Sequence, residues 1–97
     1  MNPSVYAIAT MDTKGEEIFY IRGLLRNCGV DVVTLDVGTR EAPTVQPDIS
    51  RSTIAAGRAI SQTNRGEAVT EMSEALREFL VREFTHGKVT GVIGIGG

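Results

Sequence analysis

The chain has 97 residues, 41% hydrophobic and 23% charged, with a formal net charge of −2: one ordinary globular domain at most. Ten basic residues are scattered rather than striped and aromatics are few, which argues against a nucleic-acid surface; no apolar run approaches the ~20 residues of a membrane span. The amino terminus lacks a signal-peptide pattern, and Cys28 is the only cysteine, so the expected setting is a reducing cytoplasm.

Ser4 to Thr10 is apolar almost throughout rather than alternating, the pattern of a strand covered on both faces. Thr13 and Glu16 then have capping-box spacing. The helix that follows places Ile18, Ile21, Leu25 and Cys28 on one face, with Leu24 beside them, and makes Cys28 a buried, inert thiol. Gly29 is a natural left-handed stop, and Val30 to Val37 reads as a second strand ending in Asp36-Val37-Gly38-Thr39. Pro43 and Pro47 predict an extended loop, after which Ser50 caps a short helix running through Ile54, Ala55, Ala56 and Ile60. Asn64 and Glu67 open a longer helix expected to bury Val69, Met72, Leu76, Phe79, Leu80 and Phe84. His86-Gly87 ends it, and Lys88 to Ile95 returns as a third buried strand, closing in Gly96-Gly97.

These elements make a Rossmann-like α/β fragment, residues 1–97, with a parallel sheet of three strands and right-handed crossovers. Strand order 2-1-3 is favoured. It opens a crevice at the carboxyl ends of the first and third strands and makes the Thr10–Glu17 loop and the terminal glycine turn neighbours. The alternative order, 3-2-1, separates them by two strand spacings, roughly 10 Å. Either order leaves two unpaired sheet edges, a template for self-association.

Candidate site residues lie on these two loops. Lys14 stands at a helix first turn, where backbone amides carry partial positive charge, with the hydroxyls of Thr10 and Thr13 close by and Asp12 able to hold a metal through water. That set suits a phosphate or carboxylate; the plainer reading is a capped helix start with a solvated lysine. Gly94, Gly96 and Gly97 permit close approach of a ligand to backbone amides, or else simply allow tight helix packing on the strand. Asp36 either accepts hydrogen bonds from a ribose or caps its own turn. His86 complements a helix carboxyl end, and a single histidine with no cysteine nearby gives no direct metal centre. No catalytic set can be assembled, so whether the protein is an enzyme stays open.

Four segments carry a resemblance: Ala-Thr-Met-Asp-Thr-Lys-Gly-Glu-Glu (9–17), Asp-Val-Gly-Thr (36–39), Asn-Arg-Gly-Glu-Ala-Val (64–69) and Gly-Val-Ile-Gly-Ile-Gly-Gly (91–97). In this order and spacing they resemble the amino-terminal part of the uncharacterised microbial and fungal protein family that includes the tomato mosaic virus resistance inhibitor. The resemblance implies a longer protein with a pair of Rossmann-like subdomains, in which the glycine run continues into a helix. It also implies ATP binding, with magnesium, and puts Asp12, Thr13, Lys14, Asp36 and the three glycines in motif segments. The antiviral role belongs to the plant branch.

The expected function is therefore nucleotide binding, most specifically ATP, by a homo-oligomer with no nucleic-acid or membrane partner. The rival readings are an enzyme acting on a small phosphorylated or carboxylated metabolite and a protein-assembly module.

Overall fold

The computed structural model describes residues 3–96. The central strand, β1 (Ser4–Ala9), passes directly into α1 (Met11–Asn27). The chain continues through β2 (Val32–Asp36), α2 (Arg51–Ala55), α3 (Arg65–Thr85) and β3 (Val89–Ile95). All strand pairings are parallel and the order is β2-β1-β3, the arrangement with β1 in the middle.

β1 separates two cores by the two-residue period of a strand. Tyr6 and Ile8 face α2 and α3, packing with Leu35, Ile54, Met72, Ala75 and Phe79. Ala7 and Ala9 face the other way, against Met11, Ile18 and Val32. The small side chains on that second face let α1 lie close to the sheet. Gly15, buried on the same face of α1 as Met11 and Ile18, fits the same logic: a Cβ there would collide with Thr44 Oγ1 and come within 3.2 Å of Val45 Cγ2.

The proline-containing segment does more than connect. Ile49 pairs in parallel with Leu35, and the Ile49 amide donates to the Thr34 carbonyl at 2.9 Å. Asp48 Oδ2 accepts from both the Thr34 amide (2.9 Å) and the Thr34 hydroxyl (3.1 Å). The outer edge of β2 is thus closed by the chain itself, so the expectation of two open edges is corrected to one, that of β3.

Helix limits follow their caps. Ser50 Oγ accepts from the Thr53 amide, and α2 ends after one turn because Ala56 (φ 51°) and Gly57 (φ 85°) turn left-handed, leaving Ile60 outside the helix. Asn64 Oδ1 accepts from the Glu67 amide at 2.9 Å and starts α3 where predicted. At the other end of the first motif the expectation fails. α1 begins at Met11, not after Thr13, and Thr10 occupies the N-cap position without a side-chain capping bond.

Three burial expectations are also corrected. On α3 the buried line is Ala68, Met72, Ala75 and Phe79, because the alanines allow the closest approach to the sheet; Val69 and Phe84 stand out into solvent at 51% and 70% exposure. Cys28 is exposed, as the C-cap residue just past the end of α1. β3 is an edge strand that alternates between half-buried and exposed residues, with Val92 55% exposed; α1 packs on β1 and β2 rather than on it.

Tyr6 ties β1 to α3: its hydroxyl donates to Glu83 Oε1 at 2.8 Å. Burial, then the hydrogen bond and charge of Glu83, push the phenol up to about 12. Its folded value lies above the unfolded one, so this stabilisation is intact below pH 10 and is lost as pH rises through about 12. Urea denaturation across the alkaline range is expected to show that loss in the native protein, and Tyr6→Phe is expected to reduce its pH dependence.

Candidate ligand cleft at the carboxyl edge of the sheet

Asp36, the last residue of β2, is 1% exposed and both of its carboxylate oxygens are engaged. Oδ1 accepts from the Met11 amide at 3.0 Å and from the Gly38 amide at 2.8 Å. Oδ2 accepts from Arg51 Nε at 2.8 Å. One side chain therefore supplies the missing cap of α1, closes the turn after β2 and anchors α2. The first bond explains why α1 starts early: a carboxylate from the neighbouring strand does at its N-terminus what the threonines were expected to do.

Gly38 is packed into this cluster. A Cβ on it would lie 2.6 Å from Arg51 Nη2, 2.9 Å from Asp12 Oδ1 and 3.0 Å from Asp36 Oδ1. Asp12 faces the same loop, and its Oδ2 accepts from the Glu41 amide at 3.3 Å. Asp12 and Asp36 thus belong to one group, gathered around Gly38.

The second group lies at the seam of β1 and β3. Ala9 pairs with Ile95 and Ile8 with Gly94, so Thr10 and Gly96 each come one step beyond the last pair. Parallel neighbours at that register are roughly 5 Å apart. The Thr10 and Thr13 hydroxyls are 3.1 Å from one another, and Thr13 Oγ1 also donates to the Thr10 carbonyl at 3.3 Å. Lys14 has non-helical torsions (φ −120°, ψ 17°), which mark a kink in the first turns of α1. Its ammonium is 3.5 Å from Glu17 Oε2, a half-exposed pair that an anionic ligand can replace at small cost. Gly97, also predicted for this site, lies outside the described residues.

Between the strand ends and α3 sits a small hollow of about 120 Å³, lined by Thr10, Val37, Thr39, Val69, Met72 and Leu76 among others. A larger one of about 360 Å³ opens beyond β2, with Arg40, Arg51 and Arg58 on its walls. Neither Arg51 nor this cavity was legible in the sequence: Arg51 follows the Ser50 cap, and its partner Asp36 is remote along the chain. Among the described residues no group of three or more His, Cys, Asp or Glu side chains is placed to hold a metal directly. Asp12 Oδ1 accepts no hydrogen bond from those residues, which fits the single carboxylate, water-mediated binding that magnesium tolerates when a ligand supplies further oxygens.

A parallel β2-β1-β3 sheet with helices packed on both faces defines an α/β domain. More narrowly, residues 3–97 match the model of the uncharacterised protein family UPF0261, N-terminal domain, and the chain belongs to that family. It is 40% identical over 99 residues to a UPF0261 protein of Rhizobium meliloti, covering 96% of this chain and 24% of that protein. A UPF0261 protein of Mesorhizobium japonicum is 36% identical over 99 residues, with the same coverage of 96% and 24%. One from Clostridium tetani is 27% identical over 103 residues, covering 100% of this chain and 26% of that protein. The chain thus spans about a quarter of the length of the curated relatives it matches.

Gly38→Ala is expected to lower stability by about 1–3 kcal/mol, the ordinary cost of forcing a methyl group into a packed site. Chemical denaturation measures it; a loss no greater than that of an exposed-glycine variant such as Gly23→Ala would show that the loop around Gly38 yields freely.

Proposed function

We propose that this domain binds a nucleotide at the carboxyl edge of its sheet, ATP with magnesium being the form the family resemblance implies. The observation that carries the reading is the strand order and its register, which bring the Thr10–Lys14 segment beside the Gly94–Gly96 end of β3. In this reading Lys14 and the backbone amides of Gly94 and Gly96 neutralise phosphate charge, while the Thr10 and Thr13 hydroxyls donate hydrogen bonds. Asp12 holds magnesium through water, and the ion would screen the phosphates. Asp36 enters as a positioning group rather than as a ribose acceptor, because its oxygens already serve Met11, Gly38 and Arg51.

Two features support an anionic ligand here over a merely capped helix. The Lys14 ammonium is held only by an exposed partner, so little is lost when a phosphate takes it. The kink at Lys14 also interrupts regular helix geometry at the residue the reading needs to reach the ligand. The tomato mosaic virus resistance inhibitor, to which the sequence motifs are similar, gives the same direction, without its antiviral role.

Isothermal titration of the intact protein with magnesium-ATP tests the proposal. Saturable binding is expected, weakened about tenfold or more in Lys14→Ala, as for the loss of a charge-assisted hydrogen bond. Equal affinity in the variant removes Lys14 from the site; no binding in either protein ends the nucleotide reading.

A further inference from the structure

The cavity of about 360 Å³ beyond the end of β2 is a different place from the β1–β3 seam, and three guanidinium groups line it, from Arg40, Arg51 and Arg58. No acidic side chain is among its lining residues. Arg51 is pinned: Asp36 holds its Nε at 2.8 Å, and its Nη2 is buried without a hydrogen-bond partner among the described residues. The Arg51 side chain as a whole keeps about a quarter of its surface exposed. Arg58 is steadied from α3 by Glu78 and, at 3.4 Å, by Glu74. Arg40 is exposed and makes no ion pair among the described residues. Ile60 and Met72 supply an apolar wall and Gln62 an amide.

We propose that this cavity binds the oxyanion group, phosphate or carboxylate, of a small metabolite whose remaining part packs against Ile60 and Met72. A guanidinium already fixed by a buried carboxylate loses little freedom on binding an anion, which is the preorganisation such sites need. Asp36 on one side and the packed Gly38 turn on the other fix the Arg51 side chain, so a ligand meets a cation whose position is already set. Two of the three positive charges are already balanced by Asp36 and by the glutamates of α3, and Arg40 is the one left for the ligand. A cavity of this size admits a small metabolite with room for an apolar portion.

The proposal stands apart from nucleotide binding at the seam, and the experiment separates them. The intact protein is titrated with inorganic phosphate and, in parallel, with malonate, followed by calorimetry or by the rise in melting temperature. Arg40→Gln and Arg58→Gln are compared with Arg77→Gln, a charge-matched change outside the cavity lining, and with Lys14→Ala; circular dichroism verifies the fold of each. Arg51 is left intact because it anchors Asp36. Saturable binding of either anion is expected, weakened about tenfold by Arg40→Gln or Arg58→Gln and unchanged by Arg77→Gln. The stronger of the two anions identifies the group. Absence of saturable binding, or equal loss in the Arg77→Gln control, or loss only in Lys14→Ala, overturns the proposal.

Discussion

The Asp36 carboxylate organises the whole carboxyl edge of the sheet. Almost fully buried, it gathers donors from three segments distant in sequence: the first residue of α1, the turn after β2 and the first residue of α2. A buried carboxylate is tolerated only when its charge and lone pairs are met, and here two amides and one guanidinium meet them. The consequence is geometric. The start of α1, the Gly38 turn and the base of α2 cannot move independently, so the loops that a ligand would touch are held on a common frame.

That frame shapes the electrostatics of the two candidate sites. Because Asp36 already sits on the Met11 amide, α1 offers less of its N-terminal dipole to a ligand than a bare helix start would. The proposed anion site at the seam would then depend on Lys14, the threonine hydroxyls and the glycines at the end of β3. On the far side of Gly38 the same carboxylate orients Arg51 toward a cavity edged by two further arginines. One internal anion thus weakens the pull of one neighbourhood and preorganises the other.

Much of the architecture is legible in the residues alone, because it depends on local signals. The apolar run of β1, the caps Ser50 and Asn64, and the left-handed glycines Gly29 and Gly87 all mark real boundaries. The strand order β2-β1-β3 is the favoured one of the two that the sequence leaves open. What sequence patterns do not reveal are contacts between remote segments. Asp36 with Arg51, Asp48 with Thr34 and Gly15 with Thr44 have no periodicity to betray them. On α3 Met72 and Phe79 are buried as expected, while Ala68 and Ala75 take the places of Val69 and Leu76 in the buried line. β3 read as buried because its composition is apolar, whereas exposure depends on what lies beside a strand.

The central claim is that Asp36 holds the carboxyl edge together, and Asp36→Asn tests it most directly through urea unfolding combined with amide hydrogen exchange. Losing the charge that faces Arg51 is expected to cost about 2–4 kcal/mol and to speed exchange at the Met11 and Gly38 amides more than at Ala7 in the centre of β1. Stability within about 0.5 kcal/mol of the native protein, with both amides protected as before, would contradict the account.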